Sequence, residues 1–132
     1  MTPPAIRIRG LAKRYGAIEA VRGIDLDVSA GEIFGLIGPD GAGKTSTFQI
    51  LGGVMEATSG TAEVFGRPAR DARAFVGYLT QAFSLYPDLS VAENLRYVGA
   101  LRRVPRLQIE ERGRRHLTMF GWSRSRIGSP AG

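Results

Sequence analysis

The chain has 132 residues, 43% of them apolar and 23% charged, with no cysteine and a formal net charge of +6. That length suits one domain and excludes a multi-domain enzyme, and the composition is that of an ordinary globular protein. Disulfides, zinc–thiolate sites and thiol chemistry are excluded with the cysteines, and no apolar run approaches the ~18 residues that span a bilayer.

Charge is unevenly placed. Residues 1–95 carry nine basic and ten acidic side chains, whereas residues 96–132 carry nine arginines against Glu110 and Glu111, a net of +7. Such a segment could attract nucleic acid or an anionic membrane. It lacks the aromatic platforms of a single-strand binder, so a solvated helical face is expected and nucleic acid is not an expected partner. MTPPAIRIRG lacks the apolar core of a signal peptide, which predicts a cytoplasmic location.

In chain order, Ala5–Gly10 alternates apolar and basic residues as a half-exposed strand does, and Ile24, Leu26 and Val28 alternate with Asp25 and Asp27 in a second. Ser29–Glu32 is a turn. Ile33–Gly38 is a short, nearly continuous apolar run that predicts a strand buried on both faces. A helix is predicted from near Gly43 to Leu51, ended by Gly52 and Gly53. Thr61–Phe65 and Val76–Thr80 read as further strands. Ser90 and Glu93 fit a capping box, and Val91, Leu95 and Val98 recur at helical spacing, which predicts an amphipathic helix from Val91 to about Arg103. Pro105 stops it. A last helix is predicted over Ile109–Phe120, capped by Gly121, with Gly113 costing it about 1 kcal/mol relative to Ala. Phe120 and Trp122 are expected to pack under its end, His116 to lie on the surface, and SRSRIGSPAG to be a loose end.

One motif carries chemistry. GPDGAGKT, residues Gly38, Pro39, Asp40, Gly41, Ala42, Gly43, Lys44 and Thr45, matches G-x-x-x-x-G-K-[ST] between an apolar strand and a helix. A loop that wraps a phosphate must turn its N–H groups inward, which needs glycine dihedrals and no obstructing side chain. The helix start adds free N–H groups and the positive end of its dipole. Lys44 supplies a charge to the β- and γ-phosphates and Thr45 a hydroxyl for magnesium. Asp40 reads as a turn residue with its side chain turned away.

The surroundings of the motif resemble the ATP-binding subunit of ABC transporters over nearly the whole chain. LAKRYG (Leu11–Gly16) is similar to that family's aromatic loop, and the resemblance places Tyr15 against adenine. VRGIDLDVSAGEIFGLIGPDGAGKTS is similar to the lead-in and phosphate loop, which adds Ser46 to the nucleotide contacts, and TSGTAEVFG resembles the hairpin that follows. VGYLTQ resembles the strand ending in the Q-loop, with Gln81 at magnesium and the attacking water. FSLYPDLSVAENL resembles the start of the helical subdomain. Without the resemblance, Tyr15 would be a packing or surface residue and Gln81 an ordinary strand-end amide.

The resemblance implies an α/β fold: a P-loop NTPase-like ABC nucleotide-binding domain, truncated, with residues 1–86 the N-terminal part of the ATP-binding core and residues 87–132 the start of the helical subdomain. It implies ATP and Mg2+ as cofactors, with Lys44 and Gln81 as the catalytic residues and Thr45 and Gln81 at the metal. It also implies membrane-spanning subunits as partners, dimerisation with another ATP-binding subunit, and a peripheral place at the inner face of the cell membrane. The Asp40 form of the loop looks most like drug exporters, so export is the expected direction.

The family's LSGGQ-type signature, its strand ending in Asp-Glu and its switch histidine have no counterpart in these 132 residues, and no Asp-Glu pair occurs. Phosphoryl transfer depends on such positioned charges, so a nucleotide-binding fragment that does not hydrolyse ATP is the alternative. The resemblance also implies that most sheet neighbours of Ile33–Ile37 belong to that same later part. A doubly apolar strand without neighbours exposes both side chains and backbone. The 132-residue chain is therefore expected to aggregate or to unfold below about 50 °C; a thermal scan at several concentrations checks this, and a cooperative, concentration-independent transition above that temperature contradicts it.

Overall fold

Alternating apolar and basic residues at the start of the chain build the centre of an antiparallel sheet. In the computed structural model, which describes residues 3–82 and 84–122, β1 runs Ile6–Tyr15 and β2 Ile18–Val28. β3 (Ser59–Val64) and β4 (Arg67–Pro68) follow, in the spatial order β2-β1-β3-β4. β1 is longer than the alternation predicts: it passes a register shift between Ile8 and Leu11 and continues through Tyr15, which pairs with Ile18.

The pairing register explains the alternation. Ile6 lies opposite Val28 and Ile8 opposite Leu26, while Arg7 lies opposite Asp27. On the solvent side the Arg9 guanidinium reaches Asp27 Oδ2 at 2.6 Å, and this hydrogen bond holds the Asp27 carboxyl below the usual carboxylate range. On the other side Ile8 and Leu11 are completely buried. They pack with Ile50 and Leu51 of α1 (Lys44–Leu51), with Val64 of β3, and with Ala69 and Ala72 of α2 (Ala69–Ala72). Burying each large aliphatic side chain here contributes about 1.5–3 kcal/mol. An isolated eight-residue helix is not stable in water, so α1 depends on its Ile50–Leu51 end being seated on the sheet.

Two predicted strands are not strands. Ile33–Gly38 and Val76–Thr80 pair with nothing among the described residues. Ile33 and Ile37 are 101% and 95% exposed, and Leu79 is 89% exposed. A continuous apolar run favours burial on both faces, but a strand exists only through hydrogen bonds to a neighbour. No described strand pairs with either segment.

The chain divides into two compact units between Leu79 and Thr80. In the second, α3 covers Val91–Leu101 and α4 Arg106–Met119. Ser90 caps α3 as its spacing predicts: Ser90 Oγ accepts from the Glu93 N–H, and the Ser90 N–H donates to Glu93 Oε2 at 2.8 Å. Hydrogen bonds from the Ser90 hydroxyl and N–H keep the Glu93 carboxyl below its usual range. The helix end at Gly121 has the positive φ expected of such a cap. Gly113 has a packing reason that the sequence did not show. A Cβ there would stand 3.2 Å from Leu95 Cδ1, and one at Gly99 would stand 2.4 Å from Ile109 Cδ1, so α3 and α4 approach through their glycines. His116 is exposed, as expected. Phe120 and Trp122 are exposed too, so they do not pack under the helix end. Arg96, Arg102, Arg103, Arg106, Arg112, Arg114 and Arg115 are all exposed, while Arg124, Arg126 and the expected loose end lie outside the described residues.

Asn94 organises the approach to α3. It is buried, its Oδ1 accepts from the Tyr86 N–H at 2.8 Å, and its Nδ2 lies 3.0–3.1 Å from the carbonyls of Tyr86, Leu89 and Ser90. Asn94→Ala removes both the acceptor of the Tyr86 N–H and the amide donor facing those three carbonyls. Amide exchange at Tyr86 is expected to speed up by about tenfold or more, the equivalent of one lost buried hydrogen bond. Hydrogen-exchange mass spectrometry checks it, and parent-like protection contradicts it.

Candidate functional site

The loop between β2 and α1 is shaped by one close approach. Gly43 is the N-cap of α1 with φ 83°, and a Cβ on it would lie 2.1 Å from the Ala20 carbonyl oxygen and 2.8 Å from Val21 Cγ2, both of β2. No residue but glycine fits. The Gly43 carbonyl is held from the helix side by Thr47, through its N–H at 2.9 Å and its hydroxyl at 3.0 Å. The loop's outer bend is a turn closed by the Ala42 N–H on the Pro39 carbonyl at 3.3 Å, with Asp40 and Gly41 between them and Asp40 exposed.

The electrostatics follow from that backbone. The first N–H groups of a helix have no partner within it. Gly43 offers no side-chain cap, and the first turn of α1 holds no acidic residue. Those donors and the positive end of the helix dipole therefore point into the loop without a competing anion. Lys44 turns inward as well: its Nζ donates to the carbonyls of Gly38 at 2.7 Å and Pro39 at 2.6 Å. Thr45 is exposed and Ser46 buried. A cavity of about 320 Å³ opens between the loop and the sheet, bordered by Gly41 and Lys44 on one side and by Ala20 and Arg22 on the other. That is within the size range of small-molecule sites.

Tyr15, at the end of β1, is brought to the same helix. Its hydroxyl lies 3.1 Å from Ser46 Oγ. Tyr15 and the whole run Gly38–Ser46 thus stand together in the first unit. Gln81 is an exposed residue of the second unit.

The ABC transporter family matches residues 21–128. The chain belongs to that family. It is 43% identical over 109 residues to a ribose import ATP-binding protein of Rubrobacter xylanophilus, an alignment covering 78% of this chain and 20% of that protein. It is 42% identical over 111 residues to Nod factor export ATP-binding protein I of Cupriavidus metallidurans, covering 81% of this chain and 37% of the relative. Among solved structures, an ATP-binding subunit of an ABC transporter superposes with a TM-score of 0.78 at 26% identity over 95% of this chain and 53% of that one. A dimeric bacterial ABC transporter cassette gives 0.79 at 21% identity, over 92% of this chain and 60% of its own. The fold is the mixed α/β nucleotide-binding cassette expected from the sequence. The chain spans a fifth to just over a third of those curated relatives and little more than half of the solved cassettes. Its relatives are ATP-binding proteins of both import and export systems.

The sequence does not point to Ala20 or Thr47. Only Thr47 had a local signal, since a threonine four residues after a helix start readily bonds back to that carbonyl. Gly43→Ala is expected to lower stability by more than about 2 kcal/mol, combining left-handed strain with backbone overlap. At Gly38 an added Cβ would meet only Ala42 Cβ, at 3.5 Å, so Gly38→Ala is expected to cost less than about 1 kcal/mol. Urea midpoints of the two variants check the contrast; equal midpoints contradict it.

Proposed function

We propose that this chain takes the triphosphate of ATP on the loop Gly38–Thr45, as the ATP-binding part of a transporter's ATPase subunit. The observation that carries the reading is the loop itself. Uncapped N–H groups, an inward Lys44 and a Gly43 that admits no Cβ leave a positively charged loop at the edge of the cavity. Gly38, Pro39, Asp40, Gly41, Ala42 and Gly43 cradle the phosphates with their backbone, and Lys44 pairs with the β- and γ-phosphates. Ser46 adds its N–H, and Tyr15 stacks on adenine. Magnesium, when bound with the nucleotide, neutralises phosphate charge; Thr45 and Gln81 are the residues we assign to it.

Residues 1–86 carry the nucleotide site in this reading, and residues 87–132 begin the helical part that meets membrane-spanning subunits. No described helix is long and apolar enough to cross a membrane, and a peripheral place at the inner face of the cell membrane follows from those partners. Pairing with a second ATP-binding subunit is supported by the dimeric cassette of the same fold. The finer assignment to export rests on the Asp40 form of the loop alone. These 132 residues hold no Asp-Glu pair to position water and metal, so nucleotide binding, not turnover, is the activity we assign to the chain as it stands.

Titration with a fluorescent ATP analogue tests the reading. Lys44→Ala is expected to weaken binding by about tenfold or more, the loss of a charge-assisted contact, with phosphate release at background for parent and variant alike. Parent-like affinity in the variant overturns it.

A further inference from the structure

Tyr15 has three side-chain contacts of its own, one at a face of the ring and two at its hydroxyl. Lys13, two residues earlier on the same face of β1, places its Nζ 5.2 Å from the ring centroid, and that ammonium is itself fixed by donating to the Glu56 carbonyl at 2.8 Å. The Tyr15 hydroxyl lies 3.0 Å from Met55 Sδ and 3.1 Å from Ser46 Oγ. A thioether has no proton, so in the contact with Met55 the donor is Tyr15; between Tyr15 and Ser46 either hydroxyl can donate. Yet Tyr15 is 45% exposed. Three side-chain contacts oppose its rotation all the same.

We propose that Lys13, Ser46 and Met55 are positioning residues that fix the Tyr15 ring as a platform with one face covered by Lys13 and the other open to a purine base. The proposal rests on the nucleotide reading above and adds to it the side chains that orient the base. Fixing the ring in advance removes an ordering cost from binding. The Ser46 bond also joins the base end of the site to the helix that starts at Lys44.

The test is calorimetric titration of the full 132-residue chain with ATP and, separately, with inorganic tripolyphosphate, which carries the charge without the base. Tyr15→Phe and Lys13→Met are each expected to weaken ATP about three- to tenfold, the size of one lost hydrogen bond or cation–π contact, while tripolyphosphate stays within about twofold. Lys13→Arg restores ATP affinity. Parent-like ATP binding by both Tyr15→Phe and Lys13→Met overturns the proposal, as does equal weakening of both ligands, which would mark general damage. A Lys44→Ala chain that binds both ligands like the parent would instead remove the nucleotide reading, and this proposal with it.

Discussion

The phosphate loop exists in this form because the backbone at Gly43 comes within reach of the Ala20 carbonyl, closer than any side chain allows. That approach locks the start of α1 onto turn-side residues of β2, Ala20 and Val21. Once it is made, the direction of the helix is fixed, and Ile50 and Leu51 at its far end fall on the buried face of β1. The dependence runs both ways. Eight residues of helix cannot hold themselves together, so the sheet that α1 covers also keeps the free N–H groups at its start pointing into the loop.

A second constraint is the need of every strand for a neighbour. β1 has one on each side, and its apolar face is closed by α1 and α2. Ile33–Ile37 has the sequence of an interior strand and lies without a partner among the described residues, its two isoleucines fully in solvent. The phosphate loop therefore hangs between a firmly seated helix and an apolar segment held by no sheet. The exposed isoleucines are also the strongest reason for the chain to associate with itself.

Local chemistry was well written in the sequence. The capping box at Ser90, the stop at Gly52–Gly53, the alternation in β2 and the phosphate motif each depend on residues a few positions apart, and each appears where its spacing puts it. What could not be read depends on distance in the chain. Gly113 is explained by Leu95, 18 residues earlier, and the partner of Gly43 is 23 residues earlier. The link from Tyr15 to Ser46 and Met55 joins three segments with no shared pattern. The failure at Ile33–Gly38 and Val76–Thr80 is of the same kind. Hydrophobicity states what a segment would do beside a neighbour and says nothing about whether the neighbour is there.

The inward bonds of Lys44 to the Gly38 and Pro39 carbonyls have a thermodynamic consequence. If the loop takes a triphosphate, as proposed, the ligand does not meet a bare ammonium. It meets one already solvated by the loop, so binding is an exchange of acceptors, in which phosphate oxygens replace or join carbonyl oxygens around the same three protons. The affinity that is measured is the difference between those two shells. By the same logic the lysine acts as an internal counter-ion that keeps two carbonyl dipoles turned inward while the site waits. Removing it deletes the ligand's partner and the tie across the loop in one step, and the two losses are reported as a single number.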